Sequence, residues 1–147
     1  MHAPDVPAPR QLTMLNPIGL YDPSANGYSH VAMIPPGAGL VCVAGQGGER
    51  ADGSLPDGFA AQVRQALDNL RVALAAAGSQ LRQVARLTVL VVDHDAARLA
   101  VLSGELRRAW GDAPAPACTL IPVPRLALDG MLFEIEALAV AHAPRAA

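Results

Sequence analysis

Apolar residues recur along this chain with two different periods, and the change from one period to the other marks the predicted elements. Between residues 59 and 77 they recur every three or four positions, which predicts an amphipathic helix with Asp57 as its N-cap and Gly78 as its end. The same spacing predicts a second helix over about residues 95 to 110, although Gly104 lowers its helix propensity. The apolar positions of this second helix are Leu99, Leu102, Leu106 and Trp110.

Other apolar stretches are short and rich in β-branched residues, which predicts strands. Their ranges are 28–34, 40–44, 84–93, 118–123 and 131–141. The segment "PPGAG" between the first two predicts a turn that joins them as a hairpin, and the glycine-rich residues 45–58 predict a surface loop. The order ββαβαββ predicts an α+β fold, a single mixed β-sheet with two helices packed on one face.

The last strand predicts that the second face of this sheet is also covered. Its side chains alternate, so that Phe133 and Ile135 lie on one side while Glu134, Glu136 and Leu138 lie on the other. Both faces are substantially apolar, and two helices cover only one of them. The pattern therefore predicts a closed homo-oligomer that buries the remaining face.

Length and composition predict one cytoplasmic domain. A chain of 147 residues is long enough for one core and short for two. The proline-rich residues 1–12 are predicted to be a flexible tail, residues 13–142 the domain, and residues 143–147 a second tail. No apolar stretch approaches the roughly 20 residues of a membrane helix, and the first residues do not resemble a secretory signal.

Several classes of chemistry are excluded by residue types. All 11 basic residues are arginine, so that Schiff-base catalysis, pyridoxal phosphate attachment and a P-loop, which all need a lysine, are not expected. Two cysteines and four scattered histidines form no metal-ligand motif, and we expect neither a metal nor a cofactor. The net charge of −2 and the dispersed arginines argue against nucleic acid as a partner.

Four segments in this order and spacing resemble the Rid/YjgF family over about residues 25 to 142: "GYSHV", "VAGQ", "FAAQVRQALDNLRVALAAAGSQLRQVARLTVLVVD" and "FEIEALAV". The resemblance implies a homotrimer with a chorismate-mutase-like fold and three clefts between subunits. It also implies hydrolysis of reactive enamines and imines to 2-oxo acids and ammonia. In these clefts the family's tyrosine matches Tyr28, its glycine after the second strand Gly45, its water-positioning carboxylate Glu134, and its water-binding backbone carbonyl Leu120.

This chain departs from the family at four matched positions. Cys118 stands where the imine-hydrolysing branch has an arginine for the substrate carboxylate, Ala44 replaces a serine, Ser103 an asparagine and Leu106 a tyrosine. Loss of the guanidinium removes charge-assisted hydrogen bonds of roughly 1.5–3 kcal/mol each, so that small 2-imino acids should bind poorly. The candidates for binding the substrate carboxylate in place of the missing guanidinium are Arg125 and Arg50.

Each candidate residue has a functional and a structural interpretation. Cys118 is either a cleft nucleophile or a small residue that fills the space of the arginine. Glu134 and Glu136 serve the cleft or form intersubunit ion pairs. Tyr28 is a hydrogen-bond donor or an ordinary strand aromatic, and His30 a general base or an interface residue. Cys42, inside a strand, is predicted to lie in the core.

Two functions follow from these residues. The leading hypothesis is a Rid-like trimer that uses Glu134, and in one version Cys118, to hydrolyse an enamine or imine other than a simple 2-imino acid. The alternative is a non-catalytic small-molecule-binding or protein-interaction trimer that has lost the activity. The endoribonuclease activity sometimes attributed to the family is disfavoured by the charge.

Overall fold

The computed structural model describes residues 10–141. The predicted tails therefore lie almost wholly outside the described residues. Within this range the chain forms six strands and two α-helices. They are β1 (Thr13–Leu15), β2 (Val31–Met33), β3 (Leu40–Gly47), α1 (Phe59–Ala76), β4 (Val84–Val92), α2 (Ala96–Trp110), β5 (Ala117–Val123) and β6 (Phe133–Val140).

Four of these strands form a mixed sheet in the order β3-β6-β4-β5. Strand β6 runs antiparallel to both β3 and β4, while β4 and β5 are parallel. Strands β1 and β2 form a separate antiparallel pair. A bridge between Ser29 and Ala117 joins the end of this pair to the β5 edge. The predicted α+β class, with two helices and a mixed sheet, is confirmed.

The predicted hairpin between residues 28–34 and 40–44 is wrong. Strand β2 pairs with β1, so that Met33 lies opposite Thr13, and β3 pairs with β6. A turn is present between the two strands, since the Ala38 amide donates to the Pro35 carbonyl at 3.2 Å. The turn residues indicate that the chain changes direction, but they carry no information about the partner. The partner of β2 is a strand of three residues, too short to show alternation.

Both helices pack on one face of the sheet. The alternation predicted for the last strand is confirmed on this side, where Phe133, Ile135 and Ala139 are fully buried and Ala137 is 6% exposed. Helix α1 presents Val63, Ala66, Leu70 and Leu74 to the same core, all with no exposed surface. Neither helix in the described part of the chain is long and apolar enough to cross a membrane.

The two helices begin differently. Helix α1 begins after Gly58, whose carbonyl accepts the amide of Gln62, and no side chain caps it, so the prediction of Asp57 as N-cap is wrong. Its predicted end is confirmed, because Gly78 adopts a φ of 69° and donates to the Ala75 carbonyl. Helix α2 begins after its N-cap Asp95, whose side chain accepts the Arg98 amide at 2.8 Å.

The opposite face of the sheet, here called the open face, carries no helix. Cys42 pairs with Leu138 on this face and is exposed, so its predicted place in the core is wrong for the single chain. The two-residue period of a strand places every second side chain of β3 on the open face, so that Cys42 lies on the same side as Leu40 and opposite the buried Val43. Leu40 is 56% exposed and Ile121 43%. The open face is therefore apolar in part and uncovered.

Candidate functional site

Glu134 lies on the open face of β6, where its side chain fills space left by a glycine. Strand β3 contains an irregularity between Val43 and Gln46, and Gly45 lies within it. A Cβ atom placed on Gly45 would overlap the Glu134 carboxylate and would lie 2.6 Å from its Cδ atom. Because Gly45 does not adopt a positive φ, the requirement for glycine here is a matter of space and not of backbone conformation.

The surroundings of Glu134 raise its pKa. Partial burial has the largest effect, and the neighbouring carboxylates of Glu49 and Glu136 add repulsion. The charged form is thus less stable than that of an ordinary glutamate. A carboxylate with a raised pKa is a stronger base towards water, which is the property that general-base catalysis requires.

Two amide side chains of α1 hold the segments around Glu134 in place. The Asn69 side-chain amide donates to the carbonyls of Gly47 and Glu49, at 3.0 and 2.8 Å. The buried Gln62 donates to the Gly130 carbonyl at 2.9 Å and accepts the Leu132 amide at 2.8 Å. Sequence reasoning missed both residues. The sequence did contain one indication of such a role, which is the polar side chain of Gln62 at a position of α1 where the helical period predicts an apolar residue.

A cavity of about 300 Å³ lies between α2, β5 and the segment that precedes β2. It brings together four of the predicted site residues, namely Tyr28, Ser103, Cys118 and Leu120, and Leu106 also lines it. Ala44 is not among its lining residues and lies exposed on β3, beside Gly45. The predicted residues thus fall into two groups, one at the cavity and one at Glu134.

Burial raises the pKa of the Cys118 thiol to about 12, and the positive charge of Arg86 opposes this only in part. A thiol with such a pKa is protonated at neutral pH, whereas the thiolate is the nucleophilic form. Its side chain packs against the hydrophobic core. This environment favours the interpretation in which Cys118 fills space.

Tyr28 meets a second tyrosine that also lines the cavity. Its hydroxyl is in hydrogen-bond contact with that of Tyr21, and the His30 ring lies edge-on to both tyrosine rings. The His30 Nε2 atom lies 2.8 Å from the Tyr21 carbonyl oxygen. Burial and the Tyr21 contact raise the pKa of Tyr28 to about 12, so that its phenol remains protonated. Sequence reasoning did not find Tyr21, for which no local pattern was a signal.

The two groups of residues lie on opposite faces of the sheet. Cys118 pairs with Leu87 on the helix face, whereas Glu134 pairs with Leu90 on the open face. Leu87 and Leu90 are three residues apart on one strand and therefore point to opposite sides. The expectation that one crevice holds both Glu134 and Cys118 is thus not met within a single chain.

The arginines considered as replacements for the missing guanidinium do not line the cavity. Arg125 pairs with Asp129 at 3.0 Å, and Arg50 donates to the Ser54 hydroxyl at 3.1 Å. Residues 10–141 contain no cluster of three or more histidine, cysteine, aspartate or glutamate side chains that could hold a metal ion.

Comparison with known proteins agrees with this fold. The family described as Endoribonuclease L-PSP matches residues 21–141. The chain therefore belongs to this family, which is the Rid/YjgF family indicated by its sequence segments.

Relatives of known structure or activity are similar over much of their length. The 2-iminobutanoate/2-iminopropanoate deaminase of Escherichia coli strain K12 is 35% identical over 88 residues, which are 60% of this chain and 68% of the relative. The Rid-family protein YyfB of Yersinia pestis is 33% identical with a TM-score of 0.83, over 88% of this chain and 98% of the other. RidA of an Antarctic Psychrobacter is 30% identical with a TM-score of 0.62, over 77% and 87%.

Proposed function

We propose that this protein is a cytoplasmic homotrimer that hydrolyses the C=N bond of an imine or enamine other than a simple 2-imino acid. The observation that carries the proposal is the Glu134 carboxylate, whose pKa is raised and whose position depends on the missing side chain of Gly45. The deaminase activity of the 35% identical relative supports this class of reaction.

The proposed reaction needs a base, a nearby donor and water. Glu134 takes a proton from a water molecule as the water oxygen bonds to the imine carbon. The protonated Tyr28 phenol donates a hydrogen bond to the nitrogen, which takes up a proton from solvent, so that the addition product is a carbinolamine. Glu134 returns its proton to this nitrogen and the carbinolamine hydroxyl gives up its proton to solvent. The C–N bond then breaks, and the products are a carbonyl compound and ammonia. An enamine enters the same sequence after it takes up a proton at carbon and loses one from nitrogen, which makes it the imine.

A complete site in this proposal needs two copies of the chain. Glu134 and the cavity lie on opposite faces of one sheet, so that a cleft with both requires the cavity of one subunit and the carboxylate of another. The open face, with its exposed apolar Leu40 and Ile121, is the surface that the trimer would bury. Closed symmetry then supplies three identical clefts.

The test of this function is ammonia release from imines generated in the assay, with Glu134→Gln as the decisive variant. We expect acceleration by the wild-type protein and a loss of about 10²–10⁴-fold in kcat for the variant, because the amide takes up no proton. Folding raises the pKa of Glu134, so its deprotonation disfavours the folded state as the pH rises through that pKa. The melting temperature of Glu134→Gln at pH 7 should therefore be no lower than that of the wild type.

The result also separates the enzyme from the non-catalytic alternative. Binding of small molecules without ammonia release from any imine would favour a binding protein that has lost the activity. The observation in favour of that alternative is Cys118, a neutral thiol at the position matched to the family's arginine. Release that is insensitive to Glu134→Gln would contradict the proposed mechanism.

A further inference from the structure

The cavity between α2 and β5 is lined mainly by apolar side chains. Among the described residues that line it there is no aspartate, glutamate or arginine, and His94 is the residue there whose side chain can carry a positive charge. The apolar side chains come from β4, α2 and β5 and include Val89, Leu102, Leu106, Leu120 and Cys118. Tyr21 and Tyr28 also line the cavity.

No arginine in the cavity wall is available for a carboxylate. The cation whose charge acts on the Cys118 thiol is Arg86. Arg86 pairs with Leu138, so its side chain leaves the sheet on the open face, and it is exposed to solvent. A carboxylate placed in the cavity would lose its hydration without gaining the bidentate ion pair that an arginine provides, which is unfavourable.

Two polar side-chain atoms at the cavity wall have no hydrogen-bond partner among the described residues. They are the Ser103 hydroxyl and the His94 Nδ1 atom, and both are buried. Ser103 is only 5% exposed. Buried polar groups are normally paired, so the hydroxyl of Ser103 is a group to which a ligand in this cavity would supply the missing hydrogen bond.

We propose that this cavity binds an uncharged ligand that combines an apolar or aromatic group with one neutral hydrogen-bonding group. If the proposed function holds, on which this last step rests, the substrate is an imine or enamine without a carboxylate. The volume of about 300 Å³ lies at the lower end of the range for small-molecule sites, roughly 300–1,000 Å³, and suits a compact ligand of this kind.

The proposal is tested by calorimetric binding of matched neutral and charged probes to the full chain, without any catalytic readout. The pairs are benzamide with benzoate and butanamide with butanoate, which differ in charge and hardly in shape. We expect the neutral member of each pair to bind at least about tenfold tighter, because a carboxylate loses more hydration free energy than an amide and meets no arginine in the cavity. Equal affinities, tighter binding of the carboxylates, or no binding of the amides at millimolar concentration would overturn the proposal.

Two variants locate the binding in this cavity. Ser103→Ala should weaken benzamide binding by about two- to tenfold through the loss of one hydrogen bond. Its melting temperature should not fall, since the hydroxyl has no partner to lose. Ser54→Ala, in an exposed loop, is the matched control and should leave affinity unchanged. An equal effect of both substitutions, or none of Ser103→Ala, would place the binding elsewhere.

Cys118→Arg tests the role of charge directly. A guanidinium on the cavity floor should reverse the preference, so that benzoate binds more tightly than benzamide. The proposal stays testable if Cys118→Arg does not fold. The affinities of the wild-type protein for the probes and the Ser103→Ala variant test it without a new charge in the core. The binding experiment and the ammonia-release assay give independent results. Equal binding of neutral and charged probes would contradict the ligand proposal alone, and absence of ammonia release would contradict the proposed function alone.

Discussion

At residue 45 the missing side chain leaves the space that the Glu134 carboxylate occupies. Gly45→Ala should therefore displace the carboxylate, which is the movable end of its side chain, and leave the backbone in place. A misplacement of about 1 Å is enough to reduce a catalytic rate by roughly 10²-fold. We expect a reduction of this order in ammonia release, with little change in the melting temperature.

Gly39 provides the control for this substitution. It immediately precedes the same strand, and a Cβ on it would lie 3.4 Å from the Ala141 Cβ. Gly39→Ala should leave the activity close to that of the wild type. Full activity of Gly45→Ala would show that the position of Glu134 does not depend on this glycine.

The carboxylate of Glu49 contributes to the raised pKa of Glu134. In the proposed reaction Glu134 acts in its deprotonated form, so the acidic limb of the pH profile of kcat/KM should lie above the ordinary glutamate pKa of about 4.3. Glu49→Gln removes one negative charge and should move this limb to lower pH. The measurement is kcat/KM of the wild type and of Glu49→Gln across the acidic pH range. An unchanged acidic limb would mean that a group other than Glu134 controls it.

At the scale of elements, the two aspartates that precede the helices should behave differently. Asp95→Ala removes the side-chain cap of α2 and should lower the free energy of unfolding by about 1 kcal/mol. Asp57→Ala should have little effect, since no side chain caps α1. Urea denaturation of the two variants makes the comparison. Equal losses would mean that Asp57 also stabilises its helix.

Strong periodic patterns made most of the fold predictable. Both helices follow from helical spacing, and the strands from residue 84 onward follow from short apolar runs rich in β-branched residues. Both patterns depend only on neighbours along the chain. The pairing of β2 with β1 did not follow, because β1 spans only Thr13–Leu15 and pairing depends on tertiary contacts. The exposure of Cys42 was missed for a related reason, since an apolar run does not indicate which face is covered.

The site was accessible to sequence reasoning in part. Matching to the family pointed to Tyr28, Ser103, Cys118 and Leu120, which the structure places around one cavity, while their roles stay predictions. Tyr21 was missed because the fold brings it to the cavity from an irregular segment. The separation of Cys118 from Glu134 follows from strand register, which is known only when the pairing is known.

At the scale of the whole molecule, the separation of the two half-sites predicts complementation between subunits. Glu134→Gln keeps an intact cavity, and Cys118→Phe, which fills the cavity, keeps an intact carboxylate. Each variant alone should be nearly inactive. When equal amounts are unfolded and refolded together, random assembly into trimers should restore about one quarter of the wild-type activity, because one cleft in four then receives both intact halves.

This experiment has two controls, which are the molar mass of each protein and a mixture of the two variants that is not unfolded. Light scattering should give three times the chain mass for each variant and for the mixture, and a stable monomer would contradict the proposed assembly. Proteins mixed without unfolding should stay inactive for as long as the trimers do not exchange subunits. No recovery in a properly refolded mixture would place both halves of the site in one chain.

The position of the ligand cavity and the carboxylate on opposite sides of one sheet has a consequence for how such a protein diverges. The two groups share no side chain, so a mutation that reshapes one leaves the geometry of the other unaltered. Substrate preference is then free to drift over evolutionary time while the catalytic carboxylate is inherited unchanged. A laboratory library confined to the residues of the cavity other than Tyr28 would sample new specificities under the same separation.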